Sequence, residues 1–93
     1  MNLLESMRIY VVVVEHGCLA RAATELQIGE SEISERIDCL ERYLDCHLLL
    51  RHAHDVMCTD AGAAFHERCR TTLSAVEQAI AETGRRAPAA RDH

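Results

Sequence analysis

The sequence predicts a small, mainly α-helical fold that also contains one β-hairpin. Three observations carry this prediction: stretches with apolar residues at helical spacing, a polar segment between two short apolar runs, and a length of 93 residues. A chain of this length forms one domain around one core. Hydrophobic residues make up 48% of the chain, and aromatic residues only 3%, so the core is expected to be aliphatic.

Two helices are predicted near the N-terminus. In the first, Leu3, Met7 and Tyr10 recur once per helical turn. Gly17 ends this helix, because glycine readily adopts the left-handed conformation found at helix C-termini. The second helix is the short amphipathic stretch 19–26, whose alanines allow close packing against a neighbouring helix.

A turn at Gly29 leads into a third helix, predicted for residues 31–44, and a β-hairpin follows. One apolar stripe of this helix is expected to face the core, and it is formed by Ile33, Ile37, Leu40 and Leu44. Two short apolar runs, 47–50 and 56–58, are the predicted strands of the hairpin. The polar segment 51–55 between them has the length of a hairpin loop.

Thr59 is the predicted N-cap of a long last helix, 60–83, which Gly84 ends. Residues 84–93 are expected to form a disordered tail. A seam of apolar side chains runs along the helix at three- and four-residue spacing, and it is formed by Phe65, Cys69, Leu73, Val76 and Ile80.

The order helix, helix, turn, helix, hairpin, long helix is that of a winged helix-turn-helix domain. We therefore predict such a domain for residues 1–59, with 60–83 as a linker helix. No other part of the chain is expected to cover the apolar seam of that helix. We expect it to form a homodimer rather than to fold back onto the domain.

The acidic residues are concentrated in one segment. Residues 27–60 hold eight acidic residues and three arginines, and this segment alone accounts for the net charge of −5. Within it, the stretch IGESEISERID at 28–38 has the shape of a recognition helix of a helix-turn-helix, yet it holds four acids and one arginine, namely Glu30, Glu32, Glu35, Asp38 and Arg36. Acids on this helix disfavour DNA binding, because non-specific affinity for DNA comes largely from neutralising phosphates.

Several other functions find no support in the sequence. No apolar run approaches the roughly 20 residues that span a bilayer, and the N-terminus lacks a signal-peptide pattern, so we expect a cytoplasmic protein. The scattered cysteines contain no C-x-x-C motif, and no disulfide or cofactor is expected. The predicted wing holds His52 and His54 near Cys58, but this spacing fits no strong zinc pattern, so no metal site is predicted. Nothing indicates an enzyme.

Three stretches of the sequence resemble the N-terminal DNA-binding domain of the LysR-type transcriptional regulators. They are LLESMRIYVVVVEHGCLARAATEL at 3–26, SEISERIDCLERYLDCHLLLR at 31–51 and TDAGAAFHERC at 59–69. The resemblance covers about residues 2–83. The spacing from Ala22-Ala23 through Ser34 and Leu40-Glu41 to Thr59-x-Ala61-Gly62 is specific.

The resemblance implies dimers joined by the linker helices, with each recognition helix in a major groove and each wing on flanking backbone or minor groove. In the recognition helix it places DNA contacts on Glu30, Ser31, Ser34, Glu35, Arg36 and Asp38. In the wing and its flank it places them on Arg21, Arg51, His52 and His54. The family is usually polar or basic at several positions where this chain is acidic, namely Glu30, Glu35, Asp38 and Asp55. Its members also carry a larger effector-binding domain after the linker helix, and the sequence ends before such a domain.

Two functions remain open at this point. In the first, the chain is a transcriptional regulator that binds double-stranded DNA as a homodimer, with modest and highly salt-dependent affinity. In the second, it keeps the dimerising fold but has lost DNA binding, and it sequesters a full-length LysR-type regulator in a heterodimer. A variant of the second is an acidic surface that mimics DNA. The fold favours the first function and the charge pattern favours the second; we prefer the first.

Overall fold

The computed structural model describes residues 1–53 and 55–86, and this part of the chain contains four helices and one two-stranded antiparallel sheet. In chain order the elements are α1 (Leu3–His16), α2 (Leu19–Leu26), α3 (Glu30–Leu44), β1 (Leu49–His52), β2 (Asp55–Cys58) and α4 (Asp60–Arg86). The predicted fold class is confirmed: it is mainly α-helical, with a helix-turn-helix, a β-wing and a long C-terminal helix.

The first three helices end at residues in the left-handed conformation, and the chain turns there so that the next element packs on the same core. The side chain of Asn2 caps α1 by accepting a hydrogen bond from the Glu5 amide at 3.1 Å. Gly17 ends α1 in the left-handed conformation, as predicted, with a φ of 68°. Gln27 and Asp45 end α2 and α3 in the same conformation, although neither is a glycine.

The core lies between one face of α1 and the inner faces of the other elements. Tyr10 and Val13 of α1 are fully buried, as are Ile33 and Ile37 of α3. The predicted apolar stripe of α3 therefore faces the core, although its last member, Leu44, is only partly buried. This arrangement leaves the opposite face of α3 toward solvent.

The hydroxyl of Tyr10 connects α1 to both the wing and α4. It donates a hydrogen bond to the Gly62 carbonyl oxygen at 2.9 Å, and the Leu48 carbonyl oxygen lies 3.4 Å away. Burial raises the pKa of this hydroxyl well above its ordinary value, so the group stays protonated and remains a donor. A Cβ at position 62 would lie 2.0 Å from the Leu48 carbonyl oxygen. The first turn of α4 can therefore approach the start of the wing this closely only with glycine there.

The hairpin turns more tightly than the sequence predicts. Strand pairing extends as far as His52 and Asp55, so the predicted loop 51–55 is wrong. Ala53 has a φ of 50°, the left-handed conformation that tight hairpin loops require.

The first strand also begins later than predicted, at Leu49 rather than His47. The carboxylate of Glu41 in α3 accepts hydrogen bonds from the amides of Leu48 and Leu49, at 2.7 and 3.2 Å. These bonds hold the residues before β1 against α3, so they form a connection and not a strand.

The N-terminus of α4 is capped as predicted. The Oγ1 atom of Thr59 accepts a hydrogen bond from the Gly62 amide at 2.9 Å. The same hydroxyl donates to the His47 carbonyl oxygen at 2.7 Å. One side chain therefore both starts the helix and ties it to the segment before the wing.

The C-terminus of α4 lies beyond the predicted one. The helix continues through Gly84 to Arg86, so the predicted end at Thr83 is wrong. A single glycine costs about 1 kcal/mol inside a helix, which does not by itself end the helix. The rest of the predicted tail, residues 87–93, lies outside the described part of the chain.

Much of the apolar seam of α4 is covered by the same chain. Cys69 is fully buried and Leu73 is 7% exposed, because this part of α4 packs along α1. Phe65 also packs against the core. The expectation that nothing in the chain covers the seam is therefore wrong for these three residues. Val76 is half-buried and Ile80 is 65% exposed, so only this end of the seam faces solvent.

Substitution of Gly62 by alanine tests the close approach of α4 to the wing. We expect Gly62→Ala to lower the free energy of unfolding by about 1–3 kcal/mol, the usual cost of overpacking, although alanine has the higher helix propensity. Urea unfolding followed by circular dichroism measures the change. Gly29→Ala is the matched control, because its Cβ would meet nothing closer than the Ser31 Oγ at 4.0 Å; its cost should stay below about 1 kcal/mol. Equal costs for the two variants would contradict the packing constraint.

Candidate nucleic-acid interface

The side of α3 that is turned away from the core presents hydroxyls and charged groups. This side lies beside the β-hairpin. The opposite side of the helix is the buried apolar stripe that packs against the core. We call this surface the outer face of α3, and it comprises Glu30, Ser31, Ser34, Glu35, Asp38 and Arg42. Glu30 stands in the first turn, where a negative charge interacts favourably with the helix dipole. The outer face therefore contains five of the six recognition-helix residues predicted to contact DNA.

The sixth of them, Arg36, is turned toward α1. Its guanidinium is hydrogen-bonded to the carboxylate of Glu5 in α1, and its Nη2 atom lies 3.3 Å from the Glu32 Oε2 atom one turn away. The hydrogen bond to Glu5 is the main reason why the pKa of Arg36 is raised. Arg36 therefore connects α1 with α3, and its charge is already matched by two carboxylates.

Arg51 of β1 lies beside the outer face of α3 and pairs with Asp38. Its Nη2 atom donates a hydrogen bond to the Asp38 Oδ1 atom at 2.9 Å, and the two side chains are 34% and 48% exposed. This charge-assisted hydrogen bond ties the wing to α3. Arg36 in α3 and Arg51 in the wing were both predicted to contact DNA. Both are hydrogen-bonded to carboxylates of this chain.

Glu30 and Glu35 differ from Asp38 in having no such partner. Within residues 1–53 and 55–86, neither takes part in an ion pair. Arg42 is likewise outside every ion pair of that part, and its Nη2 atom lies 3.5 Å from the Cys39 Sγ atom. The uncompensated charges of the outer face are therefore two carboxylates and one guanidinium.

The wing is held in place by the turn that follows α1. The Val56 amide donates a hydrogen bond to the Gly17 carbonyl oxygen at 3.1 Å. Cys18 also forms an isolated antiparallel bridge with Asp55. The wing is thus held by backbone bonds to the turn after α1, and the exposed bond of Arg51 to Asp38 adds a weaker contact with α3.

The other residues predicted for the wing and its flank are Arg21, His52 and His54. His52 is exposed near the end of the hairpin, and Arg21 is exposed on α2. His54, the other predicted contact, lies outside the described residues. Among the residues that the structure describes, no group of three or more histidine, cysteine, aspartate or glutamate side chains could hold a metal ion.

Two residues that shape this surface, Glu5 and Glu41, could not be predicted from the local sequence pattern. Glu5 is 31 residues from Arg36 in the chain, and no local pattern connects them. Glu41 binds the backbone before β1, as described above. The only sequence signal for it was its place next to Leu40 in the spacing of the resemblance.

No helix of the described part is long and apolar enough to cross a membrane.

A helix-turn-helix whose second helix is exposed beside a β-hairpin defines the class of winged helix-turn-helix DNA-binding domains. The family model described as "Bacterial regulatory helix-turn-helix protein, lysR family" matches residues 4–63. The chain belongs to this family, and it is a LysR-type DNA-binding regulator domain.

The relatives found among curated proteins are transcriptional regulators. The probable cat1 operon transcriptional activator of Acinetobacter lwoffii is 37% identical over 82 residues, which are 88% of this chain and 27% of that protein. The HTH-type transcriptional activator AaeR of Escherichia coli K12 is 35% identical over 77 residues, which are 83% of this chain and 25% of that protein. The chain thus spans about a quarter of the length of these relatives.

Solved structures of similar domains include complexes with DNA. The complex of the BenM DNA-binding domain with benA site 1 DNA matches with a TM-score of 0.86 and 34% identity, over 94% of this chain and 100% of that chain. The complex of the CbnR DNA-binding domain with DNA matches with a TM-score of 0.78 and 30% identity, over 98% of this chain and 99% of that chain. The similarity therefore includes α4 as well as the winged helix-turn-helix.

Comparison of Arg36→Gln with Arg42→Gln tests whether Arg36 stabilises the fold while Arg42 is available to bind DNA. We expect Arg36→Gln to lower the melting temperature by a few degrees, because it removes the ion pair between Glu5 of α1 and Arg36 of α3, and to change DNA affinity little. Arg42→Gln should leave the melting temperature unchanged and weaken binding to a random duplex about threefold, the effect of one lost phosphate contact. Scanning fluorimetry and fluorescence anisotropy measure the two quantities. An Arg36→Gln variant that melts like the wild type and loses as much affinity as Arg42→Gln would contradict the assignment.

Proposed function

We propose that this chain binds double-stranded DNA with α3 in the major groove and the wing against the flanking backbone. The observation that carries the proposal is the exposed outer face of α3 beside a fixed wing, in a fold that aligns with the BenM domain solved with benA site 1 DNA. Ser31 and Ser34 would donate hydrogen bonds to phosphates or base edges. Glu30 and Glu35 would accept hydrogen bonds from cytosine N4 atoms.

The contacts outside α3 are proposed for the wing and its flank. Arg21 on α2 and His52 at the end of the hairpin are exposed and accessible to the DNA backbone. His54 and Arg51 complete this proposed set. Arg51 can contribute only if its bond to Asp38 opens.

We further propose that DNA affinity is weak. The outer face offers one guanidinium outside an ion pair, Arg42, against the carboxylates of Glu30 and Glu35. The slope of log affinity against log salt counts the phosphates that a protein neutralises. Because few arginines can neutralise phosphates here, we expect a shallow slope, which replaces the sequence-based expectation of strong salt dependence.

The dimer is proposed to form through the C-terminal part of α4. Three members of the predicted seam pack inside the chain, whereas Val76 and the largely exposed Ile80 lie beyond the part of α4 that α1 covers. The helix is 27 residues long, and the molecule measures 51 Å along its longest axis against 25 and 21 Å across it. An end that projects in this way and carries an apolar residue suits a second copy of the same helix.

A second function rests on the same surface. Uncompensated carboxylates at Glu30 and Glu35, together with arginines engaged elsewhere, favour a chain that dimerises without binding DNA. Such a chain would form a heterodimer with a full-length LysR-type regulator through α4 and reduce its DNA binding. This function predicts no duplex affinity but a stable dimer.

Anisotropy of labelled DNA from the region upstream of this gene, titrated at low and moderate salt, separates the two functions. We expect saturable binding that is tighter for this DNA than for a random duplex. Absence of saturable binding even at low salt would contradict the DNA-binding proposal and favour the heterodimer. Glu35→Gln should abolish the preference if Glu35 contacts a base, because discrimination by such a hydrogen bond amounts to about 1–3 kcal/mol. Glu82→Gln, the same charge change on exposed α4, is the control and should leave the preference intact.

The oligomeric state is tested by sedimentation velocity on Ile80→Asp. We expect the wild type to sediment as a dimer and Ile80→Asp to shift the population toward monomer, because a charge replaces an apolar contact. Leu50→Asp makes the same chemical change at a residue of the wing that is 50% exposed, and should leave the dimer intact. A monomeric wild type, or equal effects of the two changes, would contradict the proposed interface.

A further inference from the structure

Asp38 and Arg51 occupy the corner between the outer face of α3 and the wing. Their hydrogen bond joins the Arg51 Nη2 atom to the Asp38 Oδ1 atom at 2.9 Å. Both side chains are reached by solvent, with exposures of 34% for Arg51 and 48% for Asp38. The pair therefore stands on the surface proposed above to meet DNA, and not in the core.

We propose that the Asp38 carboxylate occupies the position on Arg51 that a DNA phosphate would take, and that it thereby sets how strongly this chain binds any polyanion. The inference rests on the proposed DNA contact of the outer face. It assigns to Asp38 a role that differs from base contact: it acts through Arg51, as a positioning residue.

The chemistry of the two anions supports this role. Carboxylate and phosphate oxygens are both acceptors for the same N–H groups of a guanidinium. An arginine that keeps its bond to Asp38 presents almost no net charge to a phosphate. An arginine that leaves Asp38 exposes a carboxylate beside that phosphate. In either case Arg51 adds little to DNA affinity while Asp38 is present.

The neighbouring charges do not change this balance. Arg42 lies one helical turn after Asp38, a spacing at which opposite charges can pair, yet Asp38 is bonded to Arg51. Glu41, on the same side of α3, is bound to backbone amides before the wing. Asp45 and His47 line the open depression beside Asp38. Within the described residues Arg51 is thus the only basic side chain paired with Asp38.

An exposed ion pair of this kind is weak. Opening it is therefore not the obstacle to phosphate binding. The obstacle is the carboxylate that remains next to the phosphate after opening, and this distinguishes Asp38 from a mere structural tie. Removal of the negative charge should convert Arg51 from a neutral partner into a phosphate contact.

The test is a double-mutant cycle of Asp38→Asn and Arg51→Gln, measured by anisotropy with a labelled duplex of random sequence. Asp38→Asn should tighten binding about tenfold at low salt and steepen the salt slope by about one unit for each copy that gains a phosphate contact. Arg51→Gln alone should weaken wild-type binding modestly, because it leaves the Asp38 carboxylate unpaired, and in the Asp38→Asn background it should weaken binding by a larger factor that cancels the whole gain.

Glu35→Gln is the matched control. It removes one negative charge from the same face of α3, at a residue without an ion-pair partner in the described part of the chain. Its gain should persist when Arg51→Gln is added. Equal gains for Asp38→Asn and Glu35→Gln, with neither cancelled by Arg51→Gln, would overturn the proposal and leave general charge repulsion as the explanation.

Failure of this inference and failure of the proposed function give different results. The function is measured by preference for upstream DNA over random DNA, whereas the cycle uses random DNA alone. If no variant binds the duplex, the salt concentration that elutes each variant from immobilised heparin takes its place. Asp38→Asn must then elute at higher salt than the wild type and the double variant; equal elution overturns the inference. Circular dichroism spectra of the variants should match that of the wild type, which checks that these surface substitutions leave the fold intact.

Discussion

The close approach of α4 to the segment before the wing is the constraint on which the rest of the structure depends. It requires a residue without a side chain at Gly62 and a buried donor at Tyr10, whose hydroxyl is 2.9 Å from the Gly62 carbonyl oxygen. Three elements meet at this point: the middle of α1, the connection before β1 and the first turn of α4. Because α1 also carries the core contacts of α3, the position of the wing relative to the outer face of α3 follows from this junction.

The arginines near α3 act mainly within the molecule. Arg36 connects α1 to α3 through Glu5, and Arg51 connects the wing to α3 through Asp38. In a protein that binds DNA, such guanidinium groups are also the main source of phosphate affinity. The surface therefore combines a well-fixed recognition geometry with little positive charge to hold it on DNA. The geometry of a DNA-binding domain and a high affinity for DNA are separate properties; this chain has the first, and we propose that it lacks the second.

The sequence alone predicts what depends on local pattern. Helical periodicity located the four helices of residues 1–53 and 55–86, and the caps at Gly17 and Thr59 follow from preferences of single residues. The start of β1 could not be predicted, because it depends on hydrogen bonds from the amides of Leu48 and Leu49 to Glu41 of an earlier element. The ion pair of Arg36 with Glu5 joins residues that are distant in the chain and meet only after folding. Periodicity also predicts that the seam of α4 is buried, but it does not identify what covers it, and here α1 covers most of it.

The distribution of the acidic residues narrows what the acidic segment does. A DNA mimic needs a dense array of free carboxylates, at a spacing comparable to that of phosphates. Glu32 and Asp38 are matched by arginines, and Glu41 is turned to the backbone. On the outer face only Glu30 and Glu35 remain uncompensated, so this face does not favour mimicry. The two proposed functions, a DNA-binding regulator and a heterodimer partner, therefore differ in one physical respect. The engaged arginines do not contact phosphates, and the regulator requires that base contacts by Glu30 and Glu35 offset this loss.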